Sequence, residues 1–185
     1  MIPRPMPAAP EPMTRAYAAV TGILAPAVRL WGRMEVSGLE HMPSSGPTVL
    51  IGNHDSNWDP IAVGVAARRV RQIRALAKST LWDIKPLAPI LNGMGQVPIQ
   101  RGKSDAEGFA AAIERLRAGA CIGVFPEGTI SRGMTLRARS GVGRLALEVP
   151  EATLVCVAPS GTVYVADPLN QRIRVTNPTT GQVTT

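Results

Sequence analysis

The stretch "TVLIGNHDSNWDPIAVG", residues 48–64, contains the transition that decides the fold of this chain. Its first part, "TVLIG", is a short apolar run typical of a buried strand, and it ends at Gly52. A helical pattern begins at Pro60, a residue suited to the first turn of a helix, and Asp59 stands in the cap position. The stretch therefore predicts a strand, a polar connection and a helix, as found in α/β proteins.

The same alternation continues along the chain. Short β-rich runs and longer helical runs follow one another as "PIAVGVAARRV", "QIRALAK", "SDAEGFAAAIERLRAG", "CIGVF", "SGVGRLALEV" and "TLVCVA". The clearest helix is expected over 105–118, where Ser104 and Glu107 form a capping box and Gly119 stands at the C-terminal end. We therefore predict an α/β fold with a mixed, largely parallel sheet flanked by helices.

The chain divides into three parts by composition. Residues 1–14 are rich in proline and are expected to form a flexible leader. Residues 15–158 carry the α/β pattern, and a chain of 185 residues that is 45% hydrophobic suffices for one domain with a sizeable core. Residues 159–185 contain the turn sequences "DPLN" and "NPTTG", which predict a tail of two or three short strands.

The charge of the chain favours an anionic partner. There are 20 Lys and Arg against 13 Asp and Glu, a net charge of +7, which suits nucleic acid, a phosphorylated substrate or an acidic membrane surface. Nucleic acid is disfavoured because only 4% of the residues are aromatic and the sequence lacks the interleaving of aromatic and basic residues that stacks exposed bases. Cys121 and Cys156 lie far apart in apolar runs, which indicates reduced thiols in the core.

One apolar segment could contact a membrane. The run "AYAAVTGILAPAV", residues 16–28, is shorter than the roughly 20 residues that span a bilayer. Trp31 and Arg33 follow it, an arrangement that suits a helix lying in a membrane interface. A helix that simply packs on the core explains the pattern equally well.

His54 lies in the first polar connection, after a strand end, where α/β folds usually place ligands. A loop could bring the carboxylate of Asp59 to one imidazole nitrogen and leave the other nitrogen free to take a proton. Alternatively, Asp59 only caps the helix and His54 only fills a polar turn.

Two further polar clusters follow predicted strands. Glu127, in "VFPEGTIS", comes directly after an apolar run, where burial of an acid is costly unless the acid has a purpose. Gly128 and Thr129 supply donors suited to a phosphate or to Glu127 itself. Arg101, in "GQVPIQRG", has a planar guanidinium that can bind a phosphate, although a lone arginine is more often a surface charge. Together the three clusters predict an active site at one edge of the sheet.

The ordered set "NHDSNWD", "GQVPIQR" and "FPEGTIS" resembles the motifs of the glycerolipid acyltransferases, typified by 1-acylglycerol-3-phosphate acyltransferase. That family has an NH-x4-D motif, a phosphate-binding block and an FPEGTRS block in this order. Lys78 in "LAKSTLW" and the helix "GVGRLALEV" also stand where the family has similar residues. The resemblance covers residues 15–158 and implies the family's α/β fold.

The resemblance implies a role for each candidate residue. His54 would be the general base and Asp59 would orient it, Arg101 would bind the acceptor's phosphate, and Glu127, Gly128 and Thr129 would shape the acceptor site. The implied reaction is transfer of an acyl group from acyl-CoA or acyl-carrier protein to lysophosphatidic acid, which gives phosphatidic acid. No metal and no cofactor would be needed, because the thioester is already activated.

The implied location is the cytoplasmic face of a membrane, with peripheral or monotopic attachment to an anionic surface. Two alternatives stay open. The acceptor could be another lysophospholipid or a glycerol phosphate, or the chain could be a truncated, non-catalytic one that binds membranes or partners.

Two features depart from the family. Ile130 replaces the usual basic residue of the FPEGTRS block, and Arg132 lies close enough in sequence to substitute for it. In addition, the family continues after its last helix and strand with a proline-containing block. Here the strand "TLVCVA" is followed by a tail in which "GTVYVADPLNQRIRV" resembles a single NHL repeat. The acyltransferase domain is therefore expected to be truncated at its C-terminus. A single repeat cannot close a propeller, so the tail should form a hairpin that pairs with the sheet edge or stays mobile.

Overall fold

The computed structural model describes residues 11–100, 105–157, 163–167, 172–176 and 183–184. The strands among these residues are β1 (Thr48–Ile51), β2 (Ile73–Lys78), β3 (Val97–Ile99), β4 (Cys121–Val124), β5 (Thr153–Val157), β6 (Val163–Asp167), β7 (Arg172–Thr176) and β8 (Val183–Thr184). The α-helices are α1 (Arg15–Pro26), α2 (Asp59–Ala67), α3 (Ala88–Gly93), α4 (Ala106–Arg117) and α5 (Gly141–Glu148).

The strands form one sheet in the order β3-β2-β4-β1-β5-β6-β7-β8. The first five strands of this order are parallel, and β6, β7 and β8 join in antiparallel fashion. The prediction of a mixed, largely parallel α/β sheet is confirmed. Each parallel pair needs a crossover, and the helices between successive parallel strands provide it.

The largest part of the core lies between the parallel strands and the crossover helices α4 and α5. All four residues of β4 are buried, as expected for a central strand that is covered on both faces. Helix α4 places Phe109, Ala112 and Leu116 against the sheet at helical spacing, and α5 adds the fully buried Leu145. These helices share one apolar cluster with the strand residues Val49, Val97, Ile122 and Val124.

The predicted start of α4 is corrected in one detail. The helix begins at Ala106 and its N-cap is Asp105, whose Oδ1 accepts a hydrogen bond from the Gly108 N–H at 2.9 Å. Ser104, the predicted cap, lies outside the described residues. Asp105 is favoured because its second oxygen also accepts the Gln100 N–H, and these two bonds hold the pKa of the carboxyl below its ordinary value. Gly119, with φ +89°, ends the helix as predicted.

Helix α1 packs against the core with one face and leaves the other exposed. Tyr17, Thr21, Ala25 and Val28 recur at helical spacing and are buried, and the Tyr17 hydroxyl donates to the Gly64 carbonyl of α2 at 3.1 Å. Beyond Pro26 the helix continues as a π-helical turn, Ala27–Trp31. Within the described part of the chain, no helix combines the length and apolar character needed to cross a bilayer.

The end of the parallel sheet continues into the antiparallel strands. β6 lies beside β5, with Val155 opposite Val165, and β6 and β7 form an antiparallel pair with Ala166 opposite Ile173. The expected hairpin is therefore present and pairs with the sheet edge. The domain boundary at residue 158 stays a prediction.

The two cysteines are free thiols. Cys121 is fully buried in β4 and Cys156 is partly buried in β5. Burial raises the pKa of the Cys121 thiol to about 12, so it is protonated at neutral pH.

Arg71 ties together the amino-terminal edge of the sheet. It follows α2, is 6% exposed, and its guanidinium donates to the Gly46 carbonyl at 2.9 Å and to the Thr48 hydroxyl at 3.2 Å. The same group donates to the carbonyls of Pro43 and Gly119, which precede β1 and β4. A single side chain thus fixes the starts of two neighbouring central strands.

We expect Arg71→Met to lower the free energy of unfolding by at least about 2 kcal/mol, because it leaves several buried or partly buried acceptors without a donor. Arg69 is exposed, so Arg69→Met is the matched control and should change stability by less than about 0.5 kcal/mol. Urea denaturation of the two variants makes the comparison. Equal losses would show that Arg71 does not have this role.

Candidate active site

The parallel register brings two polar loops to the same edge of the sheet. β1 and β4 are neighbours, with Ile51 opposite Val124 as their last residues. The loop after β1 contains His54, and the loop after β4 contains Glu127. Because parallel strands end at the same edge, the two predicted clusters meet where α/β folds usually bind ligands.

Asp59 contacts His54 directly. The Asp59 Oδ2 atom lies 3.1 Å from His54 Nδ1 and also accepts the backbone N–H groups of Asp55 at 2.7 Å and Ser56 at 2.8 Å. Helix α2 begins at Asp59 itself and its N-cap is Trp58, so the interpretation of Asp59 as a mere helix cap is wrong. Its carboxylate turns back onto the loop instead.

This contact assigns the protons of the imidazole. An ionised carboxylate only accepts hydrogen bonds, so His54 Nδ1 carries the hydrogen and the lone pair of the neutral ring lies on Nε2. No residue in the described ranges hydrogen-bonds to Nε2. The pair therefore has the arrangement of a general base held by an orienting carboxylate.

An aromatic ring fixes the plane of the imidazole. The Phe125 ring stacks on His54 with centroids 4.4 Å apart and an angle of 23° between the planes. His54 is only 6% exposed. Phe125 follows β4 directly, so the strand that carries the second cluster also positions the histidine of the first.

Ser131 clamps the two loops together. Its backbone N–H donates to the His54 carbonyl at 2.6 Å, and its hydroxyl donates to Asp55 Oδ1. The same carboxylate accepts the Gly133 N–H at 3.3 Å and the Asn53 side-chain amide at 3.0 Å. The loop that carries His54 is therefore bound to the loop that follows Glu127.

The other predicted site residues differ in what surrounds them. Glu127 has one carboxylate oxygen, Oε2, that is shielded from solvent and has no hydrogen-bond partner among the described residues. Gly128 adopts φ +66°, which favours glycine, and Thr129 is exposed. Arg101 lies outside the described residues, so its role stays a prediction.

A cavity of about 250 Å³ opens beside Gly128. The starts of α4 and α5 form one side, and the ends of β2, β3 and β4 form the other. Its lining is partly apolar and partly polar, and includes Phe125, Arg139 and Arg144. Arg132, the expected substitute for a basic residue at position 130, is exposed and does not line the cavity.

Sequence reasoning missed Phe125, Ser131 and Arg139. Phe125 and Ser131 lie within "VFPEGTIS", on either side of the predicted cluster. An aromatic residue and a serine at these positions are only weak signs of a functional role. Arg139 stands ten residues beyond Thr129, outside any quoted motif. The structure describes no group of three or more His, Cys, Asp or Glu side chains, within its resolved ranges, that could hold a metal ion.

Comparisons with known proteins match this chain to acyltransferases. The family model described as "Acyltransferase" matches residues 33–165. The chain is 32% identical over 122 residues to the 1-acyl-sn-glycerol-3-phosphate acyltransferase of Borreliella burgdorferi, covering 64% of this chain and 48% of that protein. It is 25% identical over 162 residues to the 1-acyl-sn-glycerol-3-phosphate acyltransferase LPAT1, chloroplastic, of Arabidopsis thaliana, covering 80% of this chain and 44% of that protein.

A solved structure shows the same fold. The crystal structure of the 1-acyl-sn-glycerophosphate (LPA) acyltransferase PlsC from Thermotoga maritima matches with a TM-score of 0.61 and 20% identity, covering 75% of this chain and 55% of that one. The chain spans about half the length of the curated relatives it matches.

The hydrogen bonds of Ser131 should limit how readily His54 reacts with a chemical probe in solution. We expect Ser131→Ala to speed carbethoxylation of His54 by diethyl pyrocarbonate roughly tenfold, because loss of the hydrogen bond to Asp55 lets the loop open more often. His41, the other histidine, is the internal reference, and mass spectrometry of the two peptides gives the ratio. Ser44 is exposed, so Ser44→Ala is the control. An unchanged ratio in Ser131→Ala would contradict the clamp.

Proposed function

We propose, since the chain belongs to the acyltransferase family, that it transfers an acyl group from an acyl thioester to the free hydroxyl of lysophosphatidic acid and so forms phosphatidic acid. The observation that carries the proposal is the contact of His54 Nδ1 with Asp59 at 3.1 Å. The relatives named 1-acyl-sn-glycerol-3-phosphate acyltransferase support the choice of acceptor.

The proposed step moves one proton and one acyl group. The acceptor hydroxyl oxygen attacks the thioester carbonyl carbon while His54 Nε2 takes the hydroxyl proton. Asp59 stabilises the imidazolium that results, and the backbone N–H groups of Asp55 and Ser56 keep its carboxylate in place. The tetrahedral intermediate then expels the thiolate, which takes the proton from His54. This step needs no cofactor, because the thioester is already activated.

Residues of the second and third motifs would hold the acceptor. Glu127 Oε2 is buried without a partner in the described structure, so it is suited to accept a hydrogen bond from the acceptor. Arg101 would bind the phosphate, and Gly128 and Thr129 would line the approach. The donor is acyl-CoA or acyl-carrier protein, both of which present a thioester.

We also propose peripheral attachment to the cytoplasmic face of a membrane, where such donors are found. The side chains of Ile23, Leu30 and Trp31 are 77% to 80% exposed. Trp31 also contacts the half-exposed Trp58, with ring centroids 6.1 Å apart, just before the helix that begins at Asp59. This apolar surface therefore adjoins the loop of the proposed base, and the net charge of +7 would add attraction to anionic lipids.

Release of free thiol from acyl-CoA tests the function, with lysophosphatidic acid, another lysophospholipid and glycerol 3-phosphate as separate acceptors. We expect His54→Ala to lower turnover by about 10²-fold or more, the usual contribution of a general base, and Asp59→Asn to lower it at least about tenfold. His41→Ala is the matched control and should retain normal turnover. Circular dichroism and thermal melting confirm that each variant is folded.

Near-normal turnover in folded His54→Ala would exclude the mechanism. Thiol release with another acceptor but not with lysophosphatidic acid would move the proposal to that acceptor. No acceptor-dependent release by the wild-type chain would favour a non-catalytic protein.

A pair of leucine variants tests the membrane surface. Leu30 is 80% exposed beside Trp31, and Leu147 is 81% exposed on α5. We expect Leu30→Ser to weaken binding to vesicles of phosphatidylcholine and phosphatidylglycerol by about tenfold, because one leucine side chain no longer enters the lipid. Leu147→Ser should bind as the wild type does. Sedimentation at low and high salt measures the bound fraction, and equal losses in both variants would contradict the assignment.

A further inference from the structure

The cavity beside Gly128 contains positive charge that the recognised motifs do not explain. Ile130 stands where the resembling family has a basic residue, so one phosphate-binding cation is missing from its usual position. Arg132 does not replace it, since it is not among the residues that line the cavity. Arg139 and Arg144 are exposed residues like Arg132, but both line the cavity.

Arg139 is held against the loop of the third motif. Its backbone N–H donates to the Pro126 carbonyl at 2.9 Å, which fixes its chain beside that loop. Its side chain crosses directly over Gly128, and a Cβ at position 128 would lie only 2.9 Å from Arg139 Nε. Glycine at position 128 therefore serves two purposes: it adopts the positive φ, and it leaves room for this guanidinium.

Arg144 also lines this cavity. Its guanidinium carbon is 4.3 Å from the centre of the Phe109 ring, a cation–π contact that holds the charge at the cavity wall. It belongs to α5, the helix whose first residue, Gly141, also lines the cavity. Arginine suits such a position because its planar group binds a phosphate through two parallel hydrogen bonds.

The two positive charges are not neutralised by a neighbouring acid. Asp105 is the one carboxylate in the described lining, and both of its oxygens already accept backbone N–H groups, from Gln100 and Gly108. Among the residues that the structure describes, neither Arg139 nor Arg144 forms an ion pair or a side-chain hydrogen bond. Two such cations facing a cavity of about 250 Å³ make a site for an anion.

We propose that Arg139, assisted by Arg144, binds the phosphate monoester of the acceptor in this cavity, in addition to the contact proposed above for Arg101, and replaces the basic residue missing at position 130. The inference rests on the proposed acyl transfer. Phe125 connects the two sites, since its ring stacks on His54 and also lines the cavity. In lysophosphatidic acid the free hydroxyl and the phosphate are on adjacent carbons of glycerol, so a short separation between base and phosphate site suits this acceptor.

Kinetics with two acceptors test the assignment. Monoacylglycerol offers a hydroxyl without the phosphate, so comparison with lysophosphatidic acid isolates phosphate recognition. We expect Arg139→Gln to raise the KM for lysophosphatidic acid about tenfold or more, with little change in the KM for acyl-CoA or in activity toward monoacylglycerol. Arg144→Gln should have the same effect to a smaller extent. Adding Ile130→Arg to Arg139→Gln should restore part of the lost affinity.

Arg132→Asn and Arg137→Gln are the controls. Both residues are exposed and outside the cavity lining, and asparagine tolerates the positive φ of residue 132. Neither variant should alter the KM for lysophosphatidic acid. The proposal is overturned if Arg132→Asn raises that KM and Arg139→Gln does not, or if Arg139→Gln acts on the KM for acyl-CoA instead.

A binding measurement separates this inference from the acyl-transfer proposal. Glycerol 3-phosphate is titrated into the full chain by NMR, with glycerol as the phosphate-free control. We expect binding to weaken at least about tenfold in Arg139→Gln. Binding that depends on Arg139 in a chain without transfer activity would support the phosphate site and reject only the proposed reaction. Transfer with unchanged selectivity and phosphate affinity in Arg139→Gln would reject the phosphate site alone.

Discussion

The carboxylate of Asp59 is the constraint on which the candidate site depends. One oxygen accepts three N–H groups, from His54 Nδ1 and from the backbones of Asp55 and Ser56. The two backbone bonds fold the loop after β1 into a tight turn, and the third bond selects the tautomer of the imidazole. Because hydrogen bonds to a charged acceptor are stronger than neutral ones, a single side chain determines both the loop conformation and the chemistry of the histidine.

The parallel sheet makes this arrangement possible. β1 and β4 end side by side, so residues that follow β4 can reach the loop after β1. Phe125 stacks on the His54 ring, and the Ser131 N–H donates to the His54 carbonyl. Arg71 fixes the opposite ends of the same two strands. Residues at both ends of these strands therefore hold the two loops in place relative to each other. The cavity lined by Arg139 and Arg144 opens beside these loops, where α4 and α5 begin.

Local patterns in the sequence predicted those parts of the structure that depend on near neighbours. The alternation of strands and helices and the end of α4 at Gly119 involve residues close in sequence. The approach of Asp59 to His54 was one of two interpretations that the local pattern left open, and the resemblance to a family favoured it. The predicted caps were wrong for two different reasons. The Asp59 carboxylate accepts N–H groups of the loop before α2 rather than of the helix, and Asp105, next to Ser104, is the N-cap of α4. Arg101 lies outside the described residues and stays a prediction.

The contacts between distant loops could not be predicted from one sequence. Ser131 and Asp55 are 76 residues apart, and nothing in either motif indicates that they form a hydrogen bond. Arg132 is nearer than Arg139 to position 130 along the chain, yet Arg139 is the one that reaches the cavity, because its backbone is bonded to Pro126. Sequence distance was a poor guide here because the segment between them turns through residues of positive φ, Arg132 and Gly133.

The tautomer of neutral His54 shows whether Asp59 orients the imidazole as a base. With only two histidines in the chain, selective ¹⁵N labelling of histidine gives a simple spectrum in which the ring nitrogens of each can be assigned. At a pH where the ring is neutral, we expect the hydrogen of His54 to be on Nδ1, and we expect this preference to weaken in Asp59→Asn. A neutral His54 with its hydrogen on Nε2 in the wild-type protein would exclude the proposed role of His54, because the nitrogen assigned as the base would then have no lone pair to accept a proton.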